Sequence, residues 1–383
     1  MKIAKFAFGL ICLAILASNI VTMSRWNEAR GVYDDICYLR QAHLFQRLGI
    51  GGLNTNVALD YDHYFEGKLK EIAFAEWSNP ARWPCHNPMP SGKIVMQYPP
   101  GTGFLLALFP EGHQVVPLYV AASLVVCGLA LSGIFMARTL PSTVGAGLFG
   151  ALAIYLMINP AKASYSIAPT MAVCAVAGFL TALWLTRHRR STLLIALVGL
   201  LLGASVNFRL PNALLVAGKC RFLATSFLRS RTLADFVQGL GFGVAALVGM
   251  APTLIAQAVN AGSPLATTYG SVDAVAPAFD LAVLGHYLRD MQFVLIVLAI
   301  ASTAWLLRWG EGGVRQVALV VTGNLVVNLV FFLSHPIFTP YYIVPIVMLS
   351  LWSVSFAWLM QPEQARQAAP LGREPASIGV PSR

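Results

Sequence analysis

Apolar residues run along this chain in long, nearly unbroken stretches separated by short polar links. A helix that crosses a bilayer needs about 20 mostly apolar residues. Windows of that kind recur near 6–23, 115–137, 143–159, 166–186, 192–208, 210–227, 235–257, 281–307, 314–333 and 340–360. The pattern predicts an all-α polytopic membrane protein with about ten transmembrane helices. Between the first and second runs lies a polar stretch, 24–114, long enough to carry structure of its own. Within it, Ile36, Leu39, Ala42, Leu44, Phe45 and Leu48 recur at roughly helical spacing and predict an amphipathic helix on the membrane surface. Gly49-Ile-Gly-Gly52 ends that helix, and Lys68 to Trp77 reads as a second one. The Pro-rich stretch Asn79 to Pro90 reads as loop. Thr102 to Phe109, too short to span, reads as an interfacial or re-entrant helix with proline at its start.

Composition agrees with this architecture. The 383 residues are 57% hydrophobic and only 11% charged, whereas soluble domains are nearer a quarter charged. The net charge of +10 reads as the orientation signal of a membrane protein rather than as affinity for nucleic acid. With the N-terminus cytoplasmic, Lys2, Lys5, Arg138, Arg187, Arg189, Arg190, Lys219, Arg221, Arg229, Arg231, Arg308, Arg315, Arg366, Arg373 and Arg383 fall inside. The acids run the other way, leaving only Asp235, Glu311, Glu363 and Glu374 inside. The expected location is therefore the plasma (inner) membrane, with both termini cytoplasmic, 24–114 extracytoplasmic and 361–383 a disordered cytoplasmic tail. The first run has no clear small-x-small cleavage site and reads as an uncleaved helix. Of six cysteines, only Cys37 and Cys85 lie in the outer segment, where an oxidising compartment would allow a disulfide, and no CxxC or His-spaced pattern indicates zinc. No P-loop or dinucleotide fingerprint points to a cytosolic nucleotide donor.

Chemistry concentrates in the outer segment. Asp34 and Asp35 are adjacent carboxylates, a pairing that suits acid–base work but equally suits the first turn of a helix. Lys93, Arg82, Arg209 and Arg289 are the outer cations available to an anion. Arg209 ends an apolar run, where a charge either faces a cavity or snorkels to headgroups. Lys162 reads as an interface anchor. Asp60, Asp62 and His63 form an acid–imidazole group that suits a divalent cation or a solvated loop. His335 lies at the outer mouth of a span. Trp77, Trp83 and Tyr98 suit sugar stacking or interface anchoring.

The order of these features resembles the membrane glycosyltransferases of the GT-C fold, of the protein O-mannosyltransferase-like and lipid A aminoarabinose transferase-like kinds. A first span is followed by the acid pair with a following tyrosine, then Gln97-Tyr98-Pro-Pro-Gly101, before the second span. Asn159-Pro160, Gly199-Leu-Leu-Leu-Gly203 with Arg209-Leu-Pro-Asn212, Gly262-Ser-Pro-Leu265 with Tyr269-Gly270, and Pro336-Ile-Phe-Thr-Pro340-Tyr-Tyr continue the likeness over 1–360. The family more often carries Asp-Glu at the acid pair, Lys before the prolines and Arg-Tyr before the last span. The resemblance implies sugar transfer from a polyprenyl-phosphate donor to a lipid, polysaccharide or protein acceptor. It implies Asp34 as base with Asp35 supporting it, Lys93, Arg209, Arg82 and His335 toward the phosphate, and Tyr98, Tyr38, Tyr269 and Tyr341 around the substrate. A transporter or lipid-glycan flippase is the alternative, although no internal repeat is evident.

Overall fold

The computed structural model describes residues 1–28, 33–159, 164–187, 190–270, 276–339 and 341–361. Lys162, Arg189, Pro160, Pro340 and the tail with Glu363, Arg366, Arg373, Glu374 and Arg383 lie outside the described residues. The described chain is a helical bundle with a folded segment inserted after its first helix, called the outer segment for its expected side. Among the described residues six helices are long and apolar enough to cross a membrane: α1 (Lys2–Met23), α5 (Val115–Met136), α7 (Ile167–Thr186), α10 (Leu233–Ala261), α12 (Met291–Trp309) and α13 (Gly312–Leu333). Three shorter apolar helices join them: α6 (Leu140–Tyr155), α8 (Thr192–Val206) and α14 (Val344–Met360). The outer segment holds α2 (Tyr33–Leu48), α3 (Tyr64–Glu71), the strands β1 (His86–Pro88) and β2 (Ile94–Met96), and α4 (Gly101–Ala107). The remaining helices are α9 (Ala217–Ser230) and α11 (Leu281–Arg289).

Of the ten predicted spans six have helices of membrane length, and two of the ten runs differ in form. The run at 210–227 is not one apolar helix: Arg209 takes extended backbone, Leu210–Val216 is a 3₁₀ turn opened by Pro211, and α9 follows with Lys219, Arg221 and Arg229. The run at 281–307 divides at Asp290, whose carboxylate caps α12 through the Gln292 N–H at 2.9 Å. Asp280 caps α11 in the same way. Averaging hydropathy over a window hides one aspartate, but a capping carboxylate gives the chain a local place to stop and restart a helix.

α14 is buried around most of its surface and forms the centre of the bundle, with Trp352 and Phe356 packed against Phe149 and Phe179. α8 and α10 approach through glycine. A side chain at Gly203 would lie 2.1 Å from the Ala246 carbonyl, and one at Gly249 2.3 Å from that of Leu200. Such small-residue contacts let helix backbones close on one another where lipid supplies no hydrophobic drive.

The outer segment departs from the surface-helix expectation. α2 is buried from Asp35 to Ala42 and again at Leu44 and Phe45. It is the core helix of this segment, because α3, the β1–β2 hairpin and α4 cover its faces. The stretch read as loop contains β1, which pairs antiparallel with β2 in the register His86 to Met96. The second predicted helix forms earlier and shorter, as α3. Ile36, Cys37, Phe65, Leu69, Trp83 and Met96 make a small apolar core, closed by a Cys37–Cys85 disulfide.

Candidate active site

The outer segment is built around one buried cation. Arg40 is inaccessible to solvent and pairs with Asp60 at 3.5 Å. It donates to the carbonyls of Thr55 at 2.9 Å and Asn56 at 3.1 Å, and its Nη1 lies 3.2 Å from Nε2 of His86. Burial lowers the Arg40 guanidinium to about 10, and its partners keep it charged. This cluster fixes the loop after α2 and the hairpin against each other.

Three further contacts lock the segment onto the bundle. Asn260, at the end of α10, accepts from the Thr55 N–H at 2.9 Å and donates to the Leu53 carbonyl at 2.8 Å. Asp35 accepts from the Tyr165 N–H at 3.0 Å, just before α7. The Gly101 N–H donates to the Asn207 carbonyl at 2.7 Å, two residues before Arg209. A Cβ at Gly101 would fall 2.7 Å from that same carbonyl oxygen, so the Pro-Pro-Gly turn can seat here only with glycine.

These anchors surround a cavity of about 560 Å³ where the outer segment meets the membrane helices. Asp34, Tyr38 and Tyr98 line it from the outer segment, Arg209 from the break after α8, Tyr269 from the loop after α10, and His335 and Tyr341 from the loop before α14. One flank, formed by Leu210, Pro211, Leu214, Phe331 and Phe332, is apolar. Tyr98 donates its hydroxyl to Asp34 Oδ1 at 2.5 Å, and Tyr341 donates to Oδ2 at 3.4 Å. Tyr38 stacks on Tyr98 with ring centroids 5.0 Å apart. The Arg209 guanidinium sits 5.0 Å from the ring centres of both Tyr341 and Tyr342. Such cation–π contacts hold it in the cavity wall rather than at the headgroups.

Electrostatics divides the roles. Burial, then the Asp34 carboxylate, pushes the Tyr98 and Tyr341 hydroxyls well above their ordinary value. Both stay protonated and act only as donors to Asp34, each occupying one of its oxygens. A carboxylate oxygen has room for two donors, so Asp34 keeps acceptor capacity toward the cavity. Among the described residues lining the cavity, Asp34 is the one carboxylate and Arg209 the one permanent cation. The arrangement can take a proton from a hydroxyl at one end and hold an anion at the other.

The sequence-predicted residues therefore divide. Asp34, Tyr38, Tyr98, Arg209, Tyr269, His335 and Tyr341 converge on the cavity. Asp35 does not: it is 1% exposed and turned toward Tyr165, because adjacent helical residues point about 100° apart. Lys93 is also elsewhere, donating to the Val259 carbonyl at 3.1 Å at the C-terminal end of α10. Arg82 and Arg289 are exposed and line no part of the cavity. Trp83 is packed on Phe65, and Trp77 lies against Lys70. Asp60, Asp62 and His63 turn to three different partners, Arg40, Arg47 with His43, and Glu66. Among the described residues no three His, Cys, Asp or Glu side chains gather as a metal site.

Gln97, Ser164, Ser166 and Tyr342 also line the cavity, beyond the residues the sequence pattern singles out. The polar trio Ser164-Tyr165-Ser166 at the mouth of an apolar run was a readable signal, since hydroxyls there gain little unless they face a polar space. No family model matches this chain, and no curated protein or solved structure matches it.

Proposed function

We propose that this protein is a membrane glycosyltransferase that moves a sugar from a polyprenyl-phosphate donor to a hydroxyl acceptor at the extracytoplasmic face. The observation that carries this reading is the convergence of a carboxylate, a guanidinium and an aromatic wall, from four distant parts of the chain, on one cavity with an apolar flank. Asp34 takes the proton from the attacking hydroxyl. Tyr98 and Tyr341 hold its two oxygens and so fix the direction of the remaining lone pairs. Arg209 stabilises the phosphate as it leaves with the bonding electrons, where a positioned cation is worth most as charge develops. Attack opposite the phosphate inverts the anomeric centre. Leu210, Leu214 and Phe331 offer the donor's tail an apolar exit beside its phosphate.

Orientation follows the same reading. The N-terminus and the basic links lie in the cytoplasm, the outer segment lies outside, and the Cys37–Cys85 disulfide suits that oxidising side. With α9 and its 3₁₀ lead-in taken as one crossing and α11 outside, the ten-crossing topology with a cytoplasmic C-terminus is retained. Sugar and acceptor would be chosen by Gln97, Tyr269 and Thr267 at the outer rim of the cavity.

The test is release of polyprenyl phosphate by purified protein given a polyprenyl-phosphate sugar and an acceptor. Asp34→Asn is expected to lower turnover by roughly a hundredfold or more, the usual worth of a positioned base. Asp35→Asn is expected to lower thermal stability, with turnover per folded molecule retained. Full turnover in Asp34→Asn refutes the assignment of the base.

A further inference from the structure

Below the cavity the bundle holds an ammonium that has no counter-ion among the described residues. Lys219, in the first turn of α9, is 1% exposed. Among the described residues no carboxylate pairs with it, and the titratable groups in its electrostatic neighbourhood are the thiols of Cys174 and Cys220. Read along the sequence it passed for an inner-loop cation, but the fold places it inside the bundle, next to Gly218, which presses on the Val320 carbonyl of α13. An isolated charge at such a depth is costly and persists where it faces a functional partner.

A column of polar groups runs from the cavity toward the level of this ammonium. Ser166, the residue before α7, lines the cavity; Thr170, one turn on, donates to the Ser166 carbonyl at 2.7 Å and receives Asn212 Nδ2 at 3.1 Å. Cys174, beside Lys219, follows one turn further, so the column descends about 12 Å below Ser166. From α13, Asn328 Nδ2 donates to the carbonyl of Leu214, a cavity-lining residue, at 3.0 Å, and Asn324 Oδ1 receives the Gly218 N–H at 3.0 Å. The buried Oδ1 of Asn328 has no hydrogen-bond partner. An unpartnered acceptor near an ammonium that no described carboxylate neutralises is the setting in which a bridging water serves both.

The charge count points to what is missing. Asp34 and Arg209 cancel within the cavity, and Lys219 leaves one positive charge over. We propose that Lys219 is a positioning residue for an anionic lipid phosphate: it acts through the hydrated column on a phosphate seated beside Arg209, and the site is electrically complete only with that ligand bound. The polyprenyl-phosphate sugar, a phosphodiester, carries the single negative charge this requires, and the polyprenyl phosphate left after transfer carries at least that charge on the same group. The inference rests on the lipid-phosphate reading above and adds the residue that completes phosphate binding.

The test uses the full-length protein in neutral detergent, titrated with a polyprenyl phosphate and, separately, with phosphatidylglycerol, reading both Kd and Tm. Lys219→Met keeps the side-chain volume and removes the charge. It is expected to raise the Tm of the ligand-free protein, since an unpaired buried charge is lost. It is also expected to weaken polyprenyl phosphate by about tenfold, the size of a charge–charge interaction across roughly 10 Å at an effective dielectric of about 20. Lys219→Arg is expected to restore most of that affinity. A lower ligand-free Tm with unchanged Kd in Lys219→Met would overturn the proposal and leave Lys219 a packing residue. An equal loss of affinity for phosphatidylglycerol would overturn it in favour of a bulk-lipid headgroup site. Failure of the wild type to bind polyprenyl phosphate sinks the donor reading itself, which is a separate result.

Discussion

Opening the Cys37–Cys85 disulfide is the sharpest perturbation of the site, because the bond ties α2, which carries Asp34, to the start of β1, whose partner strand β2 leads into Tyr98. The two cysteines are 48 residues apart. Loop-closure entropy for about 48 residues gives close to 14 cal/mol/K, or about 4 kcal/mol at room temperature, lost from the stability of the outer segment on reduction. Each 1.4 kcal/mol is a factor of ten, so the open form of this segment becomes roughly a thousandfold more populated. Proteolysis at the exposed Arg82 or Lys70 reads that population directly when opening is fast relative to cleavage. The expected result is cleavage at these two residues that accelerates by two to three orders of magnitude with reductant, while cleavage in the short basic links between the apolar helices is unchanged. Thiol counting is the control. Cys12, Cys127, Cys174 and Cys220 are free, so four thiols should react in denaturant without reductant and six with it. Six reactive thiols before reduction, or cleavage indifferent to reductant, would refute both the bond and the placement of this segment in an oxidising compartment.

Two further predictions follow from the same geometry. Gly101→Ala places a Cβ 2.7 Å from the Asn207 carbonyl oxygen, where ordinary contact begins near 3.4 Å, so the Tyr98 turn and Arg209 must separate. A displacement approaching 1 Å is expected to lower turnover by up to about a hundredfold with a smaller loss of Tm, and unchanged turnover would show that the two need not be held in register. His86 is buried, receives Arg40 Nη1 at Nε2 and donates from Nδ1 to the Pro84 carbonyl at 2.7 Å, so protonation would set two donors face to face. Burial, then Arg40, lowers its imidazole to about 3. Its contribution to stability is therefore complete above pH 6.5 and is lost progressively as pH falls from 6.5 toward 3, with a slope of up to about 1.4 kcal/mol per pH unit. Thermal unfolding of the outer segment across that range should show the decline, and His86→Phe should flatten it. A wild-type curve already flat from pH 6.5 to 4 contradicts the assignment.

Much of this site was legible before the fold was known, and the rest shows where one-dimensional reading stops. Tyr98, Arg209, Tyr269, His335 and Tyr341 each stand at the outer end of an apolar run or in the polar segment joining two of them. Hydrophobic runs of membrane length put residues at comparable depth, so depth can be inferred from spacing alone. Position around the bundle cannot. Lys93 looked equivalent to Arg209 as an outer cation, yet it binds the end of α10 because the β2 strand carries it to that side. Asp35 looked equivalent to Asp34, and the rotation of α2 by one residue sends it to Tyr165.

What the amino-acid order determined by itself is the medium, the helical class, the presence of a structured segment after the first helix, and the axial level of the chemical groups. Those properties depend on local periodicity and on the energetic demand that a bilayer makes of every residue within it. Tertiary structure alone decided which acid faces the cavity, that Asp290 divides an apolar run, that α2 is a core rather than a surface helix, and that Lys219 lies buried within the bundle. Each of these depends on a surface supplied from a distant part of the chain. The free energy of burying a charge or turning a helix is set by that partner, not by the neighbours in sequence.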